Sequence, residues 1–243
     1  MTYCVATMID AGIVFASDSR TNAGVDNIST FRKMKIFERA GERVLVVLSS
    51  GNLAMTQATL NGLDQQNRRE EAGRSLMNVS SMYEVAELIG AALREVRDRD
   101  GPYLQQGNVD ANASFIIGGQ IGGEEPRLFM IYSEGNFIEA TPETPYFQIG
   151  EVKYGKPIID RVITAATSVD DAVKCVLVSF DSTMRSNLSV GLPIDLVVYE
   201  RDSLRVTRCR RFDEQSEYIQ TLRHCWGEGV RQAFTQLPRL EWN

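Results

Sequence analysis

The sequence predicts a layered α+β fold in which antiparallel sheets are covered by pairs of helices. Short runs of β-branched and apolar residues are joined by tight turns, and amphipathic helical stretches come mostly two at a time. No repeat, low-complexity tract or linker divides the chain. Strands linked mainly by hairpins, with helices arriving in pairs, are typical of this layered class. We therefore expect one domain over residues 1–243, with a C-terminal helix and tail over 213–243.

The individual elements follow from the period of the apolar residues, which is two in strands and close to 3.6 in helices. Strands are predicted, in chain order, over residues 3–9, 13–17, 33–37, 43–48, 113–120, 127–132, 137–140, 146–149, 193–200 and 204–212. Helices are predicted over residues 53–69, 81–99, 153–167, 168–185 and 214–237. The polar stretch 18–31 predicts an ordered loop.

Two helices carry start signals. Ser81 stands three residues before Glu84, which is capping-box spacing, and Ser168 stands three residues before Asp171. The run from Asp98 to Pro102 contains a glycine and a proline, so it predicts the end of the second helix.

Composition argues against several classes of partner. The net charge is −6, and there is no basic run with interleaved aromatic residues, so we expect no nucleic-acid partner. No apolar stretch reaches the roughly 18–20 residues that a membrane span needs. The first residues are not a basic segment followed by an apolar core, so no secretory signal is predicted. The four cysteines are widely spaced, which indicates free thiols and a cytoplasmic location.

The histidine count restricts the possible chemistry. His224 is the single histidine of the chain, and no serine motif stands beside it. His224 and Cys225 are too small a set for a zinc site, so we predict no metal and no cofactor. If the protein is an enzyme, its general base is therefore expected to be something other than histidine.

Thr2 offers another kind of nucleophile. A small residue in second position favours removal of Met1, which would leave Thr2 with a free α-amine. An α-amine has a pKa of about 7.7–8.0, so it can act as a base near neutral pH. One N-terminal residue can then supply both the nucleophile and the base.

Such a threonine needs supporting groups, and three residues are suited to the task. A buried lysine would favour the alkoxide and lower the pKa of the amine, and Lys33 opens the strand that follows the first hairpin. A buried ammonium needs a carboxylate, which Asp18 can provide at the end of the second strand. The backbone N–H of Gly51, where a strand turns into a helix, would suit an oxyanion hole.

These residues, together with longer motifs, resemble the β subunits of the proteasome family, which are N-terminal-nucleophile hydrolases. The matching segments are GIVFASDSRTNAG at 12–24, RKMKIF at 32–37, LSSGN at 48–52, YSEGNFIEA at 132–140 and FQIG at 147–150. The resemblance extends to about residue 207, and it is greatest to the bacterial branch called Anbu, or ancestral beta subunit.

The resemblance implies a fold and a set of roles. The expected fold is a four-layer αββα sandwich, with the C-terminal helix as an extension. By resemblance, Thr2 is the nucleophile, Lys33 tunes its reactivity, Asp18 pairs with Lys33 and Gly51 donates to the oxyanion. Arg20 is expected to brace the loop after Asp18.

The chain departs from the family pattern at two places. Family members usually carry a serine after the glycine that corresponds to Gly150, whereas this chain has Glu151. The family's later aspartate–serine pair should fall within 184–189, where no aspartate stands. Ser186, Asn187 and Ser189 are the candidates to replace its hydrogen bonds, and Glu151 would favour the charged form of the Thr2 amine.

Three functions fit these observations. The first is a threonine-type peptidase or amide hydrolase that acts within a self-assembled particle, on a peptide or amide substrate. The second is a self-assembling scaffold with a weak or vestigial active site. The third is a hydrolase of a specialised small amide or isopeptide.

The family resemblance implies a homo-oligomer, either a ring or an open helical spiral. The sequence does not identify an ATPase partner. The resemblance implies that specificity depends on residues after Lys33 and around Gly51, here Lys35, Ser50, Leu53 and Ala54.

Overall fold

The computed structural model describes residues 2–22, 28–68 and 73–242. The strands in these ranges are β1 (Tyr3–Ile9), β2 (Gly12–Asp18), β3 (Arg20–Asn22), β4 (Ile28–Thr30), β5 (Met34–Arg39), β6 (Arg43–Gly51), β7 (Ala113–Ile121), β8 (Arg127–Ile131), β9 (Phe137–Glu139), β10 (Tyr146–Gly150), β11 (Ile194–Glu200) and β12 (Arg208–Phe212). The helices are α1 (Leu53–Arg68), α2 (Met82–Gln106), α3 (Lys156–Val162), α4 (Val169–Ser186) and α5 (Glu217–Thr235).

The described strands form two five-stranded antiparallel sheets and one small hairpin. The first sheet has the order β10-β1-β2-β11-β12, and the second has the order β5-β6-β7-β8-β9. The small hairpin pairs β3 with β4, within the stretch 18–31 that was predicted as a loop. Residues 23–27 of that stretch lie outside the described residues, as do Met1 and residue 69, the predicted last residue of α1.

Three apolar clusters show how the layers are stacked. One lies between α1, α2 and the second sheet, and one lies between the first sheet and α3, α4 and α5. The third joins the facing sides of the two sheets, with Phe15, Leu48 and Ile116 among its members. The predicted four-layer αββα sandwich is therefore confirmed.

The burial of β1 and β2 follows from this position. Both strands lie within the first sheet, with the second sheet on one face and α4 on the other. All seven residues of β2 are buried, as are six of the seven residues of β1. Continuous apolar runs are what a strand covered on both faces requires.

Both predicted helix caps form. The Ser81 hydroxyl accepts a hydrogen bond from the Glu84 N–H at 3.2 Å, and the Ser168 hydroxyl accepts one from the Asp171 N–H at 3.1 Å. These bonds satisfy backbone donors that a helix N-terminus leaves without intrahelical partners.

Two predicted helices have wrong boundaries. α2 continues through Pro102 to Gln106, because the added residues pack Leu104 against the core cluster, which offsets the loss of one backbone hydrogen bond at Pro102. The predicted helix 153–167 is limited to α3, which has Pro157 in its first turn and ends at Val162. Residues 163–167 instead form a turn, in which the Thr167 hydroxyl accepts a hydrogen bond from the Thr164 N–H.

Candidate active site

Thr2 lies at one end of the first sheet, directly before β1, and is 8% exposed. Its carbonyl accepts a hydrogen bond of 2.7 Å from the Glu151 N–H. Gly150, which precedes Glu151, has a φ of +87°, and a Cβ on it would stand 2.0 Å from the Thr2 carbonyl oxygen. Gly150 is thus required both by its backbone conformation and by the close approach of Thr2.

Asp18 bonds both the backbone that follows Thr2 and the side chain of Lys33. Its Oδ1 accepts a hydrogen bond from the Tyr3 N–H at 3.0 Å and another from the Lys33 Nζ at 2.8 Å. Lys33 also donates to the carbonyl of Arg20 at 2.6 Å. Asp18 has no exposed surface and Lys33 is 7% exposed. One carboxylate therefore fixes both the backbone after Thr2 and the buried ammonium.

The Asp18–Lys33 pair is held in a low-dielectric environment. Burial raises the pKa of the Asp18 carboxyl, whereas the Lys33 ammonium and the Tyr3 N–H act to lower it. Either charge alone would be strongly unfavourable here, since a buried ion without its partner loses its hydration and gains nothing in return. The two side chains therefore depend on each other.

A cavity of about 330 Å³ opens beside Thr2. Its lining residues are Thr2, Thr21, Lys33, Ser49, Ser50, Gly51, Leu53, Thr56 and Gly150. The sequence-predicted Thr2, Lys33 and Gly51 thus border one space, and Asp18 adjoins it through Lys33. The volume is at the small end of the range of about 300–1,000 Å³ that is usual for ligand pockets.

The backbone N–H of Gly51 is directed towards this cavity. Successive N–H groups of an antiparallel strand point to alternate sides. The Ser49 N–H bonds the Lys33 carbonyl on the β5 side, and the Asn52 N–H bonds the Asn112 carbonyl on the β7 side. By alternation, the Gly51 N–H points to the β5 side. The first residue of β5, Met34, pairs with Leu48, so no residue of β5 lies opposite Gly51.

Arg20 contacts the loop that follows α4. Its Nη1 donates to the Leu188 carbonyl at 3.2 Å, and its guanidinium is so close to Gly191 that a Cβ there would stand 2.4 Å from Cζ. Its carbonyl is the second acceptor of Lys33. Arg20 thus links the loop after Asp18 to the loop after α4.

The two places where the chain departs from the family pattern are joined by a hydrogen bond between side chains. Glu151 is buried, and its Oε2 accepts a hydrogen bond of 2.8 Å from the Asn187 Nδ2. Lys153 Nζ lies 3.7 Å from the other oxygen of Glu151. The Asn187 Oδ1 in turn accepts a bond from the Ser189 N–H at 2.9 Å. Ser186, at the exposed end of α4, makes no side-chain hydrogen bond within the described ranges, so the structure brings Asn187, and not Ser186, to Glu151.

Some residues around the site had no prediction from the sequence. The Ser19 hydroxyl donates to Asp195 Oδ2 at 2.7 Å, and Arg211 donates to both oxygens of Asp195 at 2.7 and 2.8 Å. This network connects β11 and β12 to the residue directly after Asp18. Ser19 and Asp195 are 176 positions apart in the chain, so no local sequence pattern predicts their contact.

Among the lining residues, Thr21, Ser49 and Thr56 also lacked a prediction. Thr56 lies three residues after Leu53 on α1, so helical spacing was a signal that could have revealed it. Of the four residues named for specificity, Ser50 and Leu53 line the cavity. Lys35 instead pairs with Asp64, and Ala54 is exposed.

The described ranges contain neither a cluster of metal-binding side chains nor a helix that could span a membrane. His224 is exposed on α5, and no group of three metal-ligating side chains occurs among the residues that the structure describes. None of the helices in those ranges is both long and apolar enough to cross a membrane.

Comparison with known proteins identifies the family. Neither a protein-family model nor a curated protein matches the chain. Among solved structures, Anbu (ancestral beta-subunit) from Yersinia bercovieri is 53% identical with a TM-score of 0.92, and the match covers 99% of this chain and 100% of that one.

Two further Anbu structures are similar over the whole chain. The Gly-1 mutant from Hyphomicrobium sp. strain MC1 is 49% identical with a TM-score of 0.93, covering 100% of both chains. The helical assembly of the Anbu complex from Pseudomonas aeruginosa is 50% identical with a TM-score of 0.93, covering 98% of both. At this identity over almost the full length of both chains, the protein belongs to the Anbu, or ancestral beta-subunit, family.

Proposed function

We propose that the protein is a threonine-type N-terminal-nucleophile hydrolase of peptide or amide bonds, with Thr2 as its nucleophile once Met1 is removed. The observation that carries this proposal is the cavity that Thr2, Lys33 and Gly51 share, with Lys33 held by the buried Asp18. A hydroxyl, a buried cation and a backbone donor around one space are the parts that acyl transfer requires.

Each part has a step to perform. The Thr2 Oγ attacks the carbonyl carbon, and its proton passes through a water to the α-amine. The Lys33 ammonium favours the alkoxide, and the Gly51 N–H donates to the oxygen that gains the negative charge. The C–N bond then breaks, and the proton returns to the leaving amine. Water hydrolyses the resulting ester, which releases the acid and restores the hydroxyl.

Intact-mass analysis with a peptide vinyl sulfone tests the proposal. In this reaction a bond forms between Thr2 Oγ and the β-carbon of the probe, and the hydroxyl proton ends on the α-carbon. The mass of the chain should first be lower by one methionine, and then rise by the mass of the whole probe. Fragmentation should place the adduct on Thr2.

Two variants control this experiment. Thr2→Ala should give no adduct, whereas Thr2→Ser, which keeps the hydroxyl, should still react. Retention of Met1 by the assembled protein would contradict the mechanism, because the α-amine would then be part of a peptide bond. An adduct of equal yield in Thr2→Ala would contradict the nucleophile.

A specific observation favours a second candidate, a self-assembling scaffold with a vestigial site. The buried Glu151 and its partner Asn187 stand where the family usually has the groups that orient the amine. A carboxylate near an amine favours the ammonium form, so less of the neutral amine is present to accept the proton of the hydroxyl. A chain without Met1 that forms no adduct at any pH between 6 and 9 would support the scaffold over the hydrolase.

We propose that the chain also assembles with copies of itself, as a ring or an open helical spiral. The P. aeruginosa relative is described as a helical assembly, which supports the proposal. Exposed apolar residues on α5 and the tail, such as Phe234 and Trp242, are suited to such contacts. Light scattering at micromolar protomer concentration should give a mass of many subunits, and a monomer there would refute assembly.

A further inference from the structure

Ser19 stands between the two groups that hold the Lys33 ammonium. The Lys33 Nζ donates to Asp18 Oδ1 at 2.8 Å and to the Arg20 carbonyl at 2.6 Å. Asp18 and Arg20 are the two neighbours of Ser19 in the chain. A change in the backbone at Ser19 therefore moves one or both acceptors of Lys33, and the ammonium moves with them.

Ser19 is fixed by three hydrogen bonds. Its N–H donates to the Pro193 carbonyl at 2.8 Å, and its carbonyl accepts from the Phe31 N–H at 2.9 Å. Its hydroxyl donates to Asp195 Oδ2 at 2.7 Å, and the residue has no exposed surface. Any residue except proline could make both backbone bonds, so the bond to Asp195 is the contribution of the serine side chain.

Asp195 is a strong acceptor, because its charge is compensated. Arg211 Nη1 lies 2.7 and 2.8 Å from its two carboxylate oxygens. Hydrogen bonds to an ionised acceptor are roughly twice as strong as bonds between neutral groups. Asp195 is also buried, so little water competes with the Ser19 hydroxyl for it. Asp195 thus restrains Ser19 from β11, although it does not line the cavity beside Thr2.

We infer that Asp195 is a positioning residue for the Lys33 ammonium. It acts through the Ser19 hydroxyl, which keeps both acceptors of Lys33 in place. The inference rests on the proposed function, in which the Lys33 charge favours the alkoxide of Thr2. Because Asp195 does not line the cavity, loss of its bond to Ser19 should change the reactivity of Thr2 and not the binding of a substrate.

The labelling kinetics of the assembled full-length protein with a peptide vinyl sulfone test the inference. Their dependence on probe concentration separates kinact, the rate constant of bond formation at Thr2, from KI, which reports probe binding. Ser19→Ala should lower kinact about tenfold, since a displacement of about 1 Å can cost about 100-fold in rate. KI should stay close to its wild-type value. A purely structural role would lower stability and leave kinact of the folded protein unchanged.

Ser17→Ala is the matched control. Ser17 is also fully buried, and it stands opposite Asp195 in the pairing of β2 with β11. Its Oγ, however, has no hydrogen-bond partner among the residues that the structure describes. Ser17→Ala should therefore keep the wild-type kinact, although it removes the same atom as Ser19→Ala. An equal fall in the two variants overturns the inference, because loss of any buried hydroxyl on β2 would then have the same effect.

A double-mutant cycle assigns the effect to the bond between Ser19 and Asp195. Asp195→Ala should lower kinact by a similar factor, and the double variant should fall no further, since either change alone breaks the bond. Either single variant decides the question if the other does not fold. Wild-type kinact in a folded variant, or independent effects in the cycle, overturns the inference and leaves Thr2 as the nucleophile. If the wild-type chain forms no adduct, the proposed function fails and the inference fails with it.

Discussion

The site around Thr2 and the C-terminal helix α5 differ in what they bury. At the site, charged groups lie inside the protein, with Asp18 0% and Lys33 7% exposed. On α5 and the tail, apolar groups lie outside, with Phe234 72% and Trp242 89% exposed. Each region thus departs from the usual distribution, in which charges are outside and large apolar side chains are inside.

The hydrogen bonds explain why the first departure is tolerated. The Asp18 carboxylate and the Lys33 ammonium bond each other and two backbone groups, so their charges are compensated within the chain. The apolar groups of α5 have no such compensation within one subunit. The difference indicates that the Asp18–Lys33 pair is stabilised within one subunit, whereas α5 is suited to contacts with another molecule.

Removal of the buried cation should have the largest effect. Lys33→Met leaves the Asp18 carboxylate buried without its partner, and we expect a loss of roughly 3–5 kcal/mol in the free energy of unfolding. Urea denaturation at one fixed protomer concentration measures it. Lys35→Met is the matched control, because Lys35 and Asp64 are each about 30% exposed and such pairs contribute about 0–1 kcal/mol. Equal losses in the two variants would contradict the expectation that the buried pair contributes more to stability than the exposed pair.

The loss in Lys33→Met should also depend on pH. Without Lys33, the charge and the hydrogen bond that most oppose burial are lost, so the pKa of Asp18 rises further. A carboxyl whose pKa is higher in the folded chain than in the unfolded chain binds more protons when folded. Its folded state therefore loses stability as the pH rises above about 4, the ordinary range of an aspartate. The deficit relative to the wild type should be larger at pH 8 than at pH 5. Asp18→Asn combined with Lys33→Met should remove this dependence.

Most of the fold could be predicted from the sequence, because local patterns determine it. Continuous apolar runs gave β1 and β2, and serine caps gave the starts of α2 and α4. The errors fell where tertiary packing overrides a local signal, as when Leu104 carries α2 past Pro102. The resemblance to the Anbu branch, which rested on motifs, is confirmed by the structural comparison.

The site was predictable only in part. Asp18 and Gly51 are the last residues of β2 and β6, and Lys33 lies directly before β5, so their chemistry and their places in the chain were visible in the sequence. The contact of Asp195 with Ser19 and that of Asn187 with Glu151 join residues that are far apart in the chain. The sequence indicated Ser186, Asn187 and Ser189 equally. Only the structure shows that Asn187 is the one whose side chain bonds Glu151. The catalytic roles of all these residues stay predictions.

Loss of the one fully buried anchor of α5 should have an intermediate effect. Ile219 is 4% exposed and belongs to the cluster between α4 and the first sheet. Ile219→Ala should cost roughly 2–5 kcal/mol in the free energy of unfolding, towards the lower value because half-buried neighbours such as Leu222 can relax into the space. Urea denaturation under the same conditions measures it. A loss below about 0.5 kcal/mol would mean that α5 is hardly attached to the subunit.

The smallest effect on stability is expected at the far end of α5. Its apolar residues recur every four positions, from Tyr218 to Phe234, and each step turns the stripe by about 40° around the helix. The stripe therefore begins against the core and ends facing away from it.

Phe234→Ala should change the free energy of unfolding of the subunit by about 0.5 kcal/mol or less, while lowering the mass of the assembly in light scattering. Tyr103→Ala, which removes an aromatic ring of similar exposure from α2, should leave that mass unchanged. If Phe234→Ala were as destabilising as Ile219→Ala in a monomeric sample, the outer stripe would be packed within one subunit, and the contrast between the two regions would no longer hold.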